Sequence, residues 1–187
     1  SRQASRSPTL SDCARYSPRW ALPMLELGQP LHAFDNAKLE GVVHARLAKP
    51  EEKLLLLNEQ TIAVDADILV ISDDFKPLAM AGIMGGEVSG CSDATVNVFL
   101  ESAYWDPITI AATGRALKIN TDARYRFERG VDPAFTLPGL DLATQMILDL
   151  CGGEASELAE DGAALDTTRT YKLNPARVIS LVGMDIP

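Results

Sequence analysis

The order in which two periodicities appear constrains this chain more than any other feature. Between residues 41 and 101 apolar residues alternate or form short solid runs, closed by Gly, Pro, Asn or Asp. After Asp106 the spacing lengthens to that of helices. Strands that come first and helices that come later leave no room for repeated βαβ units. The predicted class is therefore α+β, with mixed, mostly antiparallel sheet layers and helices packed on them.

The segments follow from local signals. GVVHARLA at 41–48 alternates like a half-buried strand, and LLLLNEQTIAV at 54–64 reads as two short strands turned at Asn58 to Gln60. ILVIS at 68–72 is a fully apolar strand, LAMAGIMGG at 78–86 its return, and VNVFLE at 96–101 a further strand. Asp106 followed by Pro107 is an N-cap with proline in the first turn, predicting a helix to Leu117. A second helix is predicted from Ala134 or Thr136 to Cys151, stopped by Gly152 and Gly153. After Glu160 a new strand and a helix starting near Pro175 are expected, and residues 1–20 read as a polar loop or tail.

Bulk properties narrow the classes of function. A chain of 187 residues can bury a core without staples. No apolar run approaches the roughly 20 residues of a membrane span, and no secretory signal is evident, so the expected location is the cytoplasm. Cys13, Cys91 and Cys151 are widely spaced and odd in number, which reads as reduced thiols. A net charge of −9 argues against a sequence-independent grip on phosphate backbones. Positive charge is nevertheless concentrated at Arg115, Lys118, Arg124, Arg126 and Arg129, most simply as surface arginines balancing Asp122, Glu128 and Asp132.

Few residues carry a chemical signal alone. Gly82, Gly85, Gly86 and Gly90 could bring backbone N–H groups against a ligand, but neither a phosphate loop nor a dinucleotide fingerprint is present. His32, beside leucine and phenylalanine, is by its type and setting more often a buried, hydrogen-bonded side chain than a catalytic one. Glu101 closes an apolar strand, a poor place for a carboxylate unless it meets an arginine of RYRFERG or a substrate. Thr121, Asp122 and Ala123 form a small-residue turn that could line a pocket or cap a helix. No Ser–His–Asp arrangement and no metal-ligand spacing is found.

Four long motifs in one order go further. MLELGQPLHAFD, AGIMGGEVSG, LESAYWDPITIAATGRAL and TDARYRFERGVDP resemble the B3/B4 region of the phenylalanyl-tRNA synthetase beta subunit. The resemblance divides the chain into an unmatched segment at 1–20, a B3/B4 editing domain at 21–165 and the start of a B5 domain at 166–187. It implies hydrolysis of tyrosine mistakenly attached to the phenylalanine tRNA, by water attack on the aminoacyl ester. It assigns Glu101 to the phenol hydroxyl and His32 to the scissile ester, as the catalytic position. Gly85 and Gly86 fall in the pocket's glycine loop, with Thr121 and Ala123 as small lining residues. It implies no cofactor or metal in this region, since ATP and magnesium serve the alpha-subunit active site of the full enzyme. Expected partners are that alpha subunit, the tRNA acceptor end and the tyrosine moiety, with no membrane.

The start of the chain departs from the family. Where the family has a threonine and an asparagine at the pocket, Trp20 and Ala21 stand here. The domain therefore reads as incomplete at its N-terminal end. A non-catalytic tRNA- or amino-acid-binding module of the same synthetase is the second reading, and a free-standing sugar or nucleotide binder a distant third.

Overall fold

The computed structural model describes residues 27–163 and 168–184. Among the described residues there are eight strands: β1 (Leu31–Asp35), β2 (His44–Leu47), β3 (Lys53–Leu55), β4 (Thr61–Ala63), β5 (Leu69–Ser72), β6 (Pro77–Met80), β7 (Met84–Gly85) and β8 (Val98–Ser102). Four α-helices follow: α1 (Pro107–Leu117), α2 (Asp122–Phe127), α3 (Thr136–Cys151) and α4 (Pro175–Val182). Every strand pair is antiparallel, in a β1–β8 ribbon, a β3–β4 hairpin and a four-stranded sheet ordered β2-β5-β6-β7. The α+β expectation is borne out.

The inner strands β5 and β6 of the central sheet are buried on both faces, which explains the solid apolar run at 68–72. Side chains alternate across a strand, so Val70 and Met80 face one cluster with Leu54, Leu56, Val64, Ile110 and Phe127. Ile71 and Ala79 face the other, with Phe34, Leu78 and Ala81. Two single bridges, Phe34 to Gly90 and Leu56 to Gly86, link ribbon and hairpin to the glycine loop that follows β7.

The helices start where their caps dictate. Asp106 accepts from the Thr109 amide at 2.8 Å, and Lys118 ends α1 in the left-handed region at φ 55. α3 stops at Gly152, φ 69, as expected. Other expectations need correction. The return strand at 78–86 is two strands, because Gly82 turns the chain at φ 65 and a Cβ there would stand 2.7 Å from Trp105 Cδ1. Leu31–Asp35, not anticipated as a strand, pairs with β8. The strand expected after Glu160 is not formed: among the described residues none lies between α3 and α4. Cys91 is a free thiol, whereas Cys151 is disulfide-bonded, because pairing follows proximity in space and not spacing in sequence. The expected tail at 1–20, with Cys13 and Trp20, lies outside the described residues, as does Ala21.

Arg124 also departs from expectation. It is buried, not a surface cation. Its guanidinium reaches the Ile119 carbonyl and Asn120 Oδ1, both at 2.6 Å, and pairs with Glu128 at 3.1 Å. It lies across Gly114 of α1, where a Cβ would overlap Nε and Cδ and stand 2.6 Å from Cζ. Gly114→Ala should therefore displace the arginine and lower stability by about 1–3 kcal/mol, read from the urea midpoint, even though alanine favours helix. An unchanged midpoint would mean that Arg124 does not clasp α1 to α2.

Candidate functional site

The β1–β8 register places His32 directly opposite Glu101 and Phe34 opposite Phe99. Residues opposite one another in an antiparallel pair project from the same face, so these four side chains share one side of the ribbon. The Phe34 and Phe99 rings lie 6.1 Å apart, and the His32 imidazole stands edge-on to Phe34 at 4.4 Å and 75°. Burial lowers the His32 pKa to about 4, so the ring is neutral at physiological pH. Its Nε2 is buried and has no hydrogen-bond partner among the described residues.

Glu101 is the complementary case. The residue is half-buried, and desolvation raises its pKa to about 7. None of the RYRFERG arginines meets it: Arg124 and Arg129 pair with Glu128, and Arg126 donates to the Asp122 carbonyl at 3.0 Å. Among the described residues Glu101 has no salt bridge. The ion-pair explanation for its odd position is therefore overturned. A carboxyl held this way costs desolvation energy that no protein partner offsets.

Gly85 supplies the seat under the histidine. A Cβ on Gly85 would overlap His32 Cε1 and come within 2.8 Å of Nε2 and 3.0 Å of Leu57 Cδ1. Gly86 is close-packed for another reason, since a Cβ there would run into the Leu78 carbonyl oxygen. The loop amides are already bonded: Gly86 to the Leu78 carbonyl at 2.8 Å, Glu87 to Leu55 at 2.9 Å and Gly90 to Glu87 at 3.2 Å. An oxyanion hole built from those three N–H groups, plausible from composition, is not what the fold provides.

Thr121 and Ala123 sit one layer away. The Thr121 hydroxyl donates to the Ile83 carbonyl at 2.7 Å and accepts from the Arg124 amide at 3.1 Å, capping α2 and tying it to the turn before Gly85. Ala123 is half-buried and packs against the core around Ile83 and Phe127. Thr121 also lines a cavity of about 480 Å³ with Asn120, Asp122, Arg124, Tyr125 and Glu128. The structure thus brings His32, Glu101 and Gly85 together and joins Thr121 to them through the β6–β7 turn.

The B3/4 domain family matches residues 22–152, a span that contains every one of these side chains. The chain belongs to that family. This B3/4 domain is 65% identical over 161 residues to the "Phenylalanine--tRNA ligase beta subunit" of Cereibacter sphaeroides, covering 86% of this chain and 20% of the relative. It is 58% identical over 163 residues to the protein of the same name from Dechloromonas aromatica, covering 87% and 20%. The chain thus spans about a fifth of the length of these relatives. A solved N-terminal fragment of the phenylalanyl-tRNA synthetase beta-subunit from Pyrococcus horikoshii aligns at 17% identity and a TM-score of 0.40, over 58% of this chain and 40% of that one.

The opposite shifts at His32 and Glu101 give this B3/4 domain a testable pH signature. Between pH 4 and 6.5 the unfolded chain protonates His32 more than the folded one does. The histidine's contribution is therefore complete above 6.5 and lost as pH falls. Between pH 4.5 and 7 the folded chain holds the Glu101 proton more tightly, so its contribution is complete below 4.5 and lost as pH rises. The two slopes oppose each other where the windows overlap. Relative to the parent, His32→Gln should lose stability as pH rises through that window and Glu101→Gln should gain it, each by up to about 1.4 kcal/mol per pH unit. Urea midpoints at half-unit pH intervals would measure both, and parallel curves for all three proteins would contradict the assigned burial.

Proposed function

We propose that this B3/4 domain is the editing site of a phenylalanine–tRNA ligase beta subunit and hydrolyses tyrosine mistakenly attached to the phenylalanine tRNA. The observation that carries this reading is the partnerless Glu101 carboxyl facing the same side as a neutral, unpaired His32. A pocket shaped for phenylalanine discriminates weakly against an isostere that adds one hydroxyl. A second site that hydrogen-bonds the hydroxyl selects tyrosine and spares phenylalanine, and Glu101 is the group suited to do so.

Water attacks the ester carbonyl, and His32 holds the water or the terminal ribose through Nε2. With its pKa near 4 the imidazole is a weak proton acceptor at neutral pH, which favours positioning over general-base catalysis. Gly85 and Gly86 give the loop its close approach, and Thr121 and Ala123 keep the neighbouring layer small. On this reading the domain extends over 21–165, with 166–187 opening the B5 domain. The alpha subunit is the partner that holds ATP and magnesium, and the assembly works in the cytoplasm on the acceptor end of its tRNA. Among the described residues no helix is long and apolar enough to cross a membrane.

The second reading, a binding module without hydrolysis, draws its support from the occupied loop amides. Incubation of the chain with Tyr-tRNA and Phe-tRNA for phenylalanine separates the two. Release of tyrosine alone supports editing, tyrosine binding without release supports the module, and neither outcome rejects both.

A further inference from the structure

Gln29, which precedes β1, is only 1% exposed. Its Nε2 donates to the Ala103 carbonyl at 3.1 Å and to the Pro30 carbonyl at 3.2 Å. Gln29 and Ala103 lie 74 residues apart in the chain, each just outside its strand of the β1–β8 ribbon. The bond therefore crosses the ribbon at the end where Leu31 faces Ser102, and His32 with Glu101 is the next pair inward. The opposite end is tied separately. There the Asp35 amide donates to the Ser89 carbonyl at 2.9 Å, and the Thr95 hydroxyl donates to Asp35 Oδ2 at 2.7 Å. Six strands intervene between β1 and β8, so no hairpin turn fixes their register and such ties have to do so.

Helix α3 fits around the same glutamine. A Cβ on Gly139 would stand 3.0 Å from Gln29 Cγ, so the helix can lie this close only because position 139 has no side chain. Ser102 donates to the Thr136 carbonyl at 2.7 Å, which places α3 on the face of the ribbon away from His32 and Glu101. Gln29 Oε1 is meanwhile buried with no hydrogen-bond partner among the described residues. An apolar side chain of similar volume would fill the same place without that desolvation cost. What the amide adds is its donor, which fixes one arrangement of the two strands.

We propose that Gln29 is a positioning residue, which closes the α3 end of the ribbon and so holds His32 opposite Glu101. That the held pair serves ester hydrolysis rests on the editing reading, whereas the closure itself does not.

Gln29→Met keeps the volume and removes the donor, and NMR on the full chain tests it. The urea midpoint of the variant should equal or exceed the parent's, because the unpaired acceptor goes as well. Cross-strand Overhauser contacts between residues 32 and 101 should weaken while those between residues 34 and 99 persist. The His32 pKa should climb from about 4 towards 6.5 as the loosened end admits water. A loss of stability spread over the whole fold would not divide the ribbon in this way. In parallel, kcat/KM for release of tyrosine from Tyr-tRNA should fall roughly tenfold. Parent-like 32–101 contacts and His32 titration, equal weakening at both ends of the ribbon, or a variant that does not fold would each overturn the role. A parent that releases no tyrosine counts against the editing reading alone, since the NMR measurements need no substrate.

Discussion

Glu101→Ala should reduce the preference for tyrosine over phenylalanine by roughly 10- to 100-fold, because a hydrogen bond to a charged group contributes about 1.5–3 kcal/mol and tenfold corresponds to about 1.4. The loss should fall on tyrosine alone, since the phenylalanine ring presents no hydroxyl for the carboxyl to hold. In the parent, tyrosine affinity should rise with pH through about 7, as the buried carboxyl ionises and becomes the stronger acceptor for the phenol proton. Glu101→Gln should retain the cavity shape and lose that pH dependence. Calorimetric titration with both amino acids between pH 5.5 and 8.5 decides the matter. An alanine variant that keeps the parent's preference would remove Glu101 from the recognition of the hydroxyl.

Gly85→Val should depress hydrolysis of Tyr-tRNA by roughly 100-fold, the scale on which a reacting group displaced by about 1 Å loses rate. The first carbon of any side chain at 85 overlaps the imidazole, so His32 has to leave its place on the glycine. A merely structural glycine would give poor folding and nothing else. Displacement of the ring predicts in addition that the His32 pKa climbs from about 4 towards 6.5 as it meets water, which imidazole proton shifts in NMR report directly. A His32 pKa that stays near 4, as in the parent, in a folded Gly85→Val chain with full activity would refute this role of the glycine.

How legible these features were depended on how local their causes are. α1 and α3 could be placed from sequence because Asp106, Pro107 and the glycines after Cys151 act within one turn of the helices they bound. β1 could not, because five residues with one proline before them become a strand only when β8 returns to pair with them. Glu101 drew notice as a carboxylate on an apolar strand, but its lack of a partner is a fact about where Arg124, Arg126 and Arg129 are committed. Arg124 itself was read as surface charge because its seat, Gly114, lies on another helix. The proximity of His32 to Gly85, and the occupied amides of Gly86 and Gly90, likewise belong to tertiary structure. The resemblance of the four motifs placed these residues in one site before any geometry did.

The register of β1 against β8 also sets when the site can exist. His32 lies near the beginning of the strand-rich half and Glu101 at its end, so the pair meets only when β8 has returned to β1 across all the intervening chain. Contacts of such long range form late and make folding slow. During synthesis on a ribosome, the face proposed to recognise tyrosine is therefore absent from every chain that has not yet emerged past β8. In refolding, tyrosine binding should return with the last kinetic phase, which makes ligand binding a report on completion of the fold.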